Sequence, residues 1–333
     1  MAEADRNRIL ISHKEGMDMK TIAVILCVLL FLGFILFLIS SFIFHQFVLR
    51  DKVQVPENVK KKKKKNETTS LSEKTRWLKS QPMKTAVIQA QDGVRLVGKL
   101  WFSDVKSNRF IIACHGASGL YYEQFCFLAE YYHKNGYNLL LVNNRGCGES
   151  GGEFISYGVN ESRDLLHWMK YILNNFPTCS IFLHGISMGA SSVLMTCDGK
   201  LPENIKGIIS DCAFTNAWDE FKYKMYHSYH CPAFPVLNIV NLLCRTKAHF
   251  SLRDAAPLNH VIKSKVPILF IHGKNDEYVP PRMTQQLYDS CPAPKKLLLV
   301  PGAEHANSSS VNPALYEEYL TEFLTREIDR TLF

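Results

Sequence analysis

The sequence predicts an α/β fold in which helices cover both faces of a mostly parallel sheet. Short apolar runs alternate with longer amphipathic segments from about residue 84 onward. The runs are continuously apolar, as expected of strands that are buried on both faces. At 333 residues, 47% of them hydrophobic, the chain has room for one large core and an appendage.

The strands and helices follow each other in a regular order. Two strands flank Asp92-Gly93, a dipeptide typical of a hairpin turn. Six more strands are predicted at 110–114, 138–142, 180–185, 205–210, 267–273 and 296–300. Helices are predicted at 121–135, 160–175, 188–198, 281–290 and 313–330. A helix between two strands returns the chain to the end of the sheet at which the first strand began. Successive strands should therefore pair in parallel.

Residues 212–258 interrupt this alternation. The segment is rich in aromatic residues and contains Pro232 and Pro235. One interpretation is a helical pair on the surface, since Trp218, Phe221 and Met225 form an ordinary helical stripe. The other is a lid over the carboxyl ends of the strands, where open α/β sheets bind ligands. The two are compatible, and we expect a helical lid.

An uncharged stretch without proline runs from residue 21 to 44. As a helix it would span about 36 Å, enough to cross a bilayer with some tilt. A cleaved signal peptide would have a shorter apolar region and a site of small residues, whereas bulky residues occupy 42–44. We therefore expect a transmembrane anchor at 21–44, after a tail at 1–20. A basic tether at 45–83 and the α/β domain at 84–333 would follow.

Charge limits the partners of the chain. Of a formal net charge of +8, six positive charges come from the run Lys60–Lys65. A basic tract confined to a linker is not a nucleic-acid-binding face, so we expect no nucleic acid partner. Basic residues flank both ends of the anchor, and the larger number after it favours a cytoplasmic domain. The sequons at Asn66, Asn160 and Asn307 do not decide the side.

The ten cysteines include no C-x-x-C pair, and several lie in apolar runs. A cysteine in such a run is usually a small buried hydrophobic residue. We expect free thiols, no metal site and no cofactor, in a chain that acts as a monomer.

Two segments match G-x-S-x-G: one centred on Ser187 and one on Ser150. A nucleophile elbow needs a strand that leads directly into it and a helix that leads directly out. Ser187 has both, whereas a loop precedes and follows Ser150. The setting predicts Ser187 as a nucleophile.

A serine nucleophile needs a general base and an acid that orients it, in the chain order Ser, Asp or Glu, His. Asp276 and His305 follow two consecutive predicted strands and should meet Ser187 at one edge of the sheet. Asp211 is the alternative acid. The N–H groups of Met188 and Ala117 are the predicted oxyanion donors, and His115 is expected to be structural.

Several segments together resemble one family. They are "CHGASG", "NNRGCGESGG", "GISMGASSVLM", "ILFIHGKNDEYVP" and "PGAEHANSSS". The chain from about 84 to 330 is similar to membrane-anchored α/β-hydrolases common in Gram-positive bacteria, of the serine-aminopeptidase-like or lysophospholipase-like type. The resemblance implies an α/β-hydrolase fold, with Ser187 as nucleophile, Asp276 as acid and His305 as base, and Ala117 and Met188 as oxyanion donors. It also implies an extracytoplasmic domain, against the charge count. Ala190 replaces a glycine that is common in the family.

The function predicted from these features is that of a membrane-tethered serine hydrolase acting on acyl esters, as a carboxylesterase or a lysophospholipase-like enzyme. The aromatic insertion suits an acyl chain of a small ester or lipid substrate. A serine peptidase of the aminopeptidase-like type is the first alternative, but the sequence identifies no acidic group in the lid for the substrate's amine. A catalytically silent membrane interaction domain is the second, because folds do not determine functions.

Overall fold

The computed structural model describes residues 18–50, 70–117, 119–199 and 201–329. Most of the predicted N-terminal tail and the lysine run of the predicted tether lie outside the described residues.

The centre of the molecule is an eight-stranded sheet with the order β1-β2-β4-β3-β5-β6-β7-β8. The strands are β1 (Lys84–Gln89), β2 (Arg95–Trp101), β3 (Arg109–Cys114), β4 (Asn138–Asn143), β5 (Ser180–Ile186), β6 (Ile205–Asp211), β7 (Ile268–Gly273) and β8 (Lys295–Val300). β2 is antiparallel to its neighbours β1 and β4. All the other neighbouring strands of the sheet, including β3 between β4 and β5, pair in parallel. The prediction of a mostly parallel sheet is confirmed.

The described helices begin with the long α1 (Met19–Val48) and end with α12 (Pro313–Asp329). Between them lie α2 (Ser70–Lys79), α3 (Tyr121–Gln124), α4 (Ala129–Lys134), α5 (Val159–Asn175), α6 (Met188–Leu194), α7 (Ala217–His227), α8 (Val236–Lys247), α9 (Pro257–Val261), α10 (Pro281–Ser290) and α11 (Ser308–Val311).

Helices cover both faces of the sheet. On one face α5, α6 and α10 contribute Trp168, Leu194 and Leu287 to a buried cluster. On the other face α4 and α12 contribute Tyr132 and Phe323. Because successive side chains of a strand point to opposite faces, each central strand supplies residues to both clusters. The carboxyl ends of the parallel strands lie together at one end of this two-sided core.

α1 is apolar and long enough to cross a membrane, and the most hydrophobic part of it is not buried in the protein. Its side chains are exposed from Met19 to Ile39 apart from the half-buried Leu36. From Ser40 onward one side of the helix packs against the domain, where Phe44 and Val48 are buried. The helix therefore extends past the predicted span and joins the core directly.

The structure differs from the sequence-based interpretation of the tether. Residues 70–79 form the helix α2, in which Leu78 is fully buried. The Trp77 ring packs edge-to-face against Trp101 at a centroid distance of 5.8 Å. A short helix with so many charged residues gives a weak periodic signal, so the sequence does not show that it belongs to the core.

Two other helices differ in extent from the prediction. The helix predicted at 121–135 is divided into α3 and α4, and the one predicted at 188–198 ends as α6 at Leu194.

The aromatic insertion forms α7 and α8. One buried cluster contains Phe221 and Met225 of α7, Leu237 of α8, and Met188, the residue after the predicted nucleophile. The insertion thus packs on the side of the sheet where the predicted site lies.

Candidate active site

Ser187 lies on the tight turn between β5 and α6, with φ 57° and ψ −120°. A positive φ is strained for any residue other than glycine, and such strain is concentrated at functional sites. A Cβ at Gly189 would lie 2.0 Å from the Cys114 carbonyl oxygen, and one at Gly185 would lie 2.2 Å from the Gly189 oxygen. Both positions therefore require glycine for the strand and helix to close around Ser187.

The structure brings the three predicted catalytic residues into one hydrogen-bonded chain. The Ser187 hydroxyl lies 2.8 Å from His305 Nε2, and His305 Nδ1 lies 2.7 Å from Asp276 Oδ2. A carboxylate accepts only, so His305 Nδ1–H donates to it. In the neutral imidazole, Nε2 is then free to accept the serine proton.

Asp276 is held as a carboxylate. Its Oδ1 accepts the N–H groups of Tyr278 and Val279 at 2.8 and 2.9 Å. Burial raises the pKa of this carboxyl, but the adjacent imidazoles of His305 and His272 outweigh burial and hold the pKa below its ordinary value. An ionised Asp276 fixes the His305 tautomer and stabilises the imidazolium when it forms.

His272 is fully buried and contacts the acid. Its Nε2 lies 3.0 Å from Asp276 Oδ2 and 2.9 Å from the Val279 oxygen. Both of these atoms accept, so Nε2 carries a proton and donates. His272 Nδ1 lies 2.6 Å from the Thr284 hydroxyl. The sequence signal for this contact is a histidine near the end of β7, four residues before Asp276 in the chain.

The segments that carry the two predicted oxyanion donors lie beside the nucleophile. Met188 begins α6, and the loop that carries Ala117 passes close to Ser187, since a Cβ on Gly116 would lie 3.1 Å from the Ser187 Cβ. Among the described residues, neither the Met188 N–H nor the Ala117 N–H has a hydrogen-bond acceptor. The loop is held by Gln124, whose side-chain oxygen accepts the Gly116 N–H at 2.6 Å. No sequence pattern indicates this role for Gln124, which lies eight residues further along the chain.

His115 connects two loops. Its Nδ1–H donates to the Gly116 oxygen at 2.7 Å, and its Nε2 accepts the Asn144 N–H at 3.1 Å. Burial lowers the pKa of His115 to about 4. A neutral imidazole with both nitrogens engaged has a structural part in the site.

Ser150, the second G-x-S-x-G serine, forms hydrogen bonds to the backbone of two strands and to none of the three predicted catalytic residues. Its buried hydroxyl accepts the Val97 N–H at 2.8 Å and donates to the Asn143 oxygen at 2.7 Å. Next to it, Arg145 forms a bidentate pair with Asp164. This loop fastens β2, β4 and α5 together.

Asp211, the alternative acid, supports the turn without contacting His305. Its backbone oxygen accepts the Ser187 N–H at 2.8 Å, and its carboxylate accepts the Tyr316 hydroxyl at 3.0 Å. The Tyr316 oxygen also lies 3.2 Å from Nε2 of the buried His184, whose pKa burial lowers to about 3.

Asp211 leads to a prediction about stability. Burial raises the pKa of this carboxyl to about 6, whereas the unfolded chain has an ordinary value of about 4. The native state thus retains a proton that the unfolded state releases, and the unfolding free energy falls as pH rises through this window, by about 3 kcal/mol. We expect Asp211→Asn to remove this loss, so that the variant gains stability relative to the wild type between about pH 4 and 6.

Thermal unfolding of both proteins in detergent at a series of pH values measures the difference. His115 and His184 take up protons on unfolding in both proteins, so their contributions cancel. A difference that does not change with pH would contradict the prediction.

One group of possible metal ligands occurs among the described residues. It consists of the Cys212 thiol, the Asp276 carboxylate and the His305 imidazole, whose ligand atoms all lie within 4.8 Å of one another. Burial raises the pKa of the Cys212 thiol well above its usual range, and the other two groups bond each other. A metal ion binds thiolate rather than thiol, so the donor set suits a proton-transfer pair better than a metal.

The insertion reaches the site through Tyr278. The rings of Tyr278 and His305 are 4.7 Å apart, and Lys224 Nζ of α7 lies 3.5 Å above the Tyr278 ring. Lys224 pairs with Glu220 one turn earlier, and both side chains are buried. Within the described part of the chain, the second carboxylate oxygen of Glu220 has no hydrogen-bond partner.

The strand order, the antiparallel β2 and the serine on the turn after β5 define the α/β-hydrolase class of folds. The family model of the prolyl oligopeptidase family matches residues 123–331, and the chain belongs to this family. The protein is a serine hydrolase, and the resemblance to α/β-hydrolases is confirmed.

The chain is also similar to individual proteins. The protein YqkD of Bacillus subtilis is 30% identical over 66% of this chain and 72% of its own length. A membrane protein of Saccharomyces cerevisiae is 24% identical over 73% of this chain and 80% of its own. The esterase Pf2001 of Pyrococcus furiosus shares the fold, with a TM-score of 0.60 and 24% identity over 74% of this chain and 93% of its own.

Proposed function

We propose that this protein is a membrane-tethered hydrolase of acyl esters that acts through Ser187, His305 and Asp276. The observation that carries the proposal is the hydrogen-bonded chain from the strained Ser187 to His305 and the ionised Asp276. α1 would be the single-pass anchor. Its length and composition support this, as does the yeast relative that is named a membrane protein.

The mechanism follows from these contacts. Ser187 Oγ attacks the acyl carbon while His305 Nε2 takes the hydroxyl proton. The N–H groups of Met188 and Ala117 stabilise the oxyanion. The carbon–oxygen bond of the ester breaks, and His305 returns the proton to the departing alcohol. His305 then takes a proton from a water molecule, which attacks the acyl carbon. The bond from this carbon to Ser187 Oγ breaks, His305 returns the proton to Oγ, and the acid leaves.

The apolar surroundings favour an acyl ester as substrate. Met188, Phe221 and Met225 belong to one buried cluster that extends from the nucleophile through α7. An apolar setting of this kind suits the apolar part of an ester better than a peptide backbone, whose polar groups need hydrogen-bond partners.

A peptidase is the second candidate, and Glu220 is the observation that favours it. A buried carboxylate with one unpartnered oxygen lies in the lid helix, where a substrate's amino group would need an acidic partner. Its pairing with Lys224 offsets much of that charge, which is why we rank the ester first.

A comparison of two substrate series tests the proposal. We expect p-nitrophenyl acyl esters to be hydrolysed and aminoacyl p-nitroanilides with a free amine to be inert. Glu220→Gln, which keeps the shape of the side chain, should leave ester turnover within about threefold. Rapid anilide hydrolysis that is lost in Glu220→Gln would establish the peptidase instead.

A further inference from the structure

The exposed length of α1 places the domain at the membrane surface. The exposed part from Met19 to Ile39 is about 31 Å long at the helical rise. The hydrocarbon core of a bilayer is about 30 Å thick. Ser40, the next residue, is already buried against the domain. When this part of α1 spans the bilayer, no spacer remains between the membrane and the domain.

The insertion is the part of the domain that holds the membrane-proximal end of α1. The Ser40 hydroxyl lies 3.3 Å from the Val236 oxygen, at the start of α8. The Phe47 ring packs edge-to-face against Phe221 and Tyr229, at centroid distances of 5.7 and 6.2 Å. The start of α8 is therefore beside the first buried residue of α1, and α7 and the loop between the two helices pack on the same end of α1.

This region also exposes large apolar side chains. Outside α1, four of the nine large hydrophobic residues that are exposed in the described part lie between 226 and 242. We call these four the lid surface: Tyr226, Tyr229, Phe234 and Leu242. Phe234 is 77% exposed and lies two residues before Val236, which contacts the anchor. Aromatic residues are favoured at the boundary between hydrocarbon and headgroups.

The charge of the same region suits an anionic surface. From Phe221 to Arg253 the chain contains no Asp or Glu. Lys222, Arg245 and Lys247 are exposed there. Basic residues beside an apolar surface attract anionic lipid headgroups.

The insertion that carries the lid surface also packs on the turn that carries the nucleophile. The buried cluster that contains Phe44 and Phe47 of the anchor also contains Phe221 of α7 and Met188 of the turn. The elements that carry the lid surface therefore pack against both the end of the anchor and the turn that carries Ser187.

We propose that the lid surface docks into the headgroup region of an anionic phospholipid bilayer and admits substrate from that bilayer. The substrate is then an acyl ester lipid resident in the membrane, hydrolysed by water to a fatty acid and an alcohol. This proposal rests on the proposed ester hydrolysis and adds where the substrate comes from.

The test uses the full-length protein in vesicles of phosphatidylcholine with and without phosphatidylglycerol. Two rates are measured in the same vesicles: p-nitrophenyl acetate from the water, and a fluorogenic long-chain lysophospholipid from the bilayer. We expect Phe234→Glu to lower the lipid rate by about tenfold or more and to leave the acetate rate within about twofold. Phosphatidylglycerol should raise only the lipid rate.

Val105→Glu is the matched control. Val105 is 61% exposed and precedes β3, at the sheet edge opposite the site, so neither rate should change. Equal melting temperatures of the three proteins would show that both variants fold.

The outcomes separate the two proposals. Absence of acetate hydrolysis in the wild type would overturn the proposed ester hydrolysis. The docking proposal would be overturned if the wild type hydrolyses acetate but Phe234→Glu leaves the lipid rate unchanged. It would also be overturned if Phe234→Glu lowers the lipid rate and the acetate rate in the same proportion. A photoactivatable diazirine lipid should label the peptide 226–242. If the wild type is instead a dimer that Phe234→Glu abolishes, and the lipid does not label this peptide, the surface binds a second copy of the chain. That result would also overturn the proposal.

Discussion

The Ser187→Ala variant is expected to lose at least about 10⁴-fold in kcat/KM toward a p-nitrophenyl acyl ester. The methyl group of alanine cannot attack the carbonyl, and the 2.8 Å contact with His305 Nε2 disappears. Ser187 Oγ makes no other hydrogen bond to a described residue, so the melting temperature should stay within a few degrees. Ester kinetics and thermal unfolding of the purified full-length protein measure both quantities.

Ser150→Ala is the matched control, since Ser150 occupies the other G-x-S-x-G match. Its hydroxyl bonds the backbone of β2 and β4, so this variant should lose stability, by about 1 kcal/mol, and keep its activity. A fluorophosphonate probe should label the wild type and Ser150→Ala but not Ser187→Ala. Unchanged turnover in Ser187→Ala would refute the nucleophile assignment, and an unlabelled wild type would favour a catalytically silent domain.

Asp276→Asn is expected to lower kcat by about 10⁴-fold with little change in KM. An amide no longer fixes Nδ1–H of His305, and it removes the negative charge that stabilises the imidazolium. The substitution conserves volume, and the Tyr278 and Val279 N–H groups keep an oxygen acceptor. Steady-state kinetics at pH 7 to 8 measure the effect.

Asp211→Asn is the matched comparison for the choice of acid. Both carboxylates are buried, but only Asp276 contacts His305. We expect Asp211→Asn to cost less than about tenfold in kcat, because its backbone oxygen still accepts the Ser187 N–H. A larger loss in Asp211→Asn than in Asp276→Asn would reverse the assignment.

The sequence by itself determined the order of the eight strands along the chain, most of the helices between them and the class of fold. Buried strands give continuous apolar runs, and helices between them give a longer period, so both signals are local. The same local signals separated the turn at Ser187 from the loop at Ser150. Parallel strands align their carboxyl ends. Because Ser187, Asp276 and His305 each follow such a strand in the expected chain order, the sequence was enough to predict that they meet at one end of the sheet.

Only the tertiary structure decided which side chains surround these residues. His272, Gln124 and the pair of Glu220 with Lys224 lie in segments whose sequence patterns also suit ordinary core or surface positions. Their contacts depend on side-chain direction and on distances between elements, which periodicity does not report. The packing of α1 on the insertion is of the same kind, because Ser40 and Val236 are separated by 196 positions in the chain. A local pattern records what one element buries, whereas the partner that buries it is determined by the packing of the whole chain.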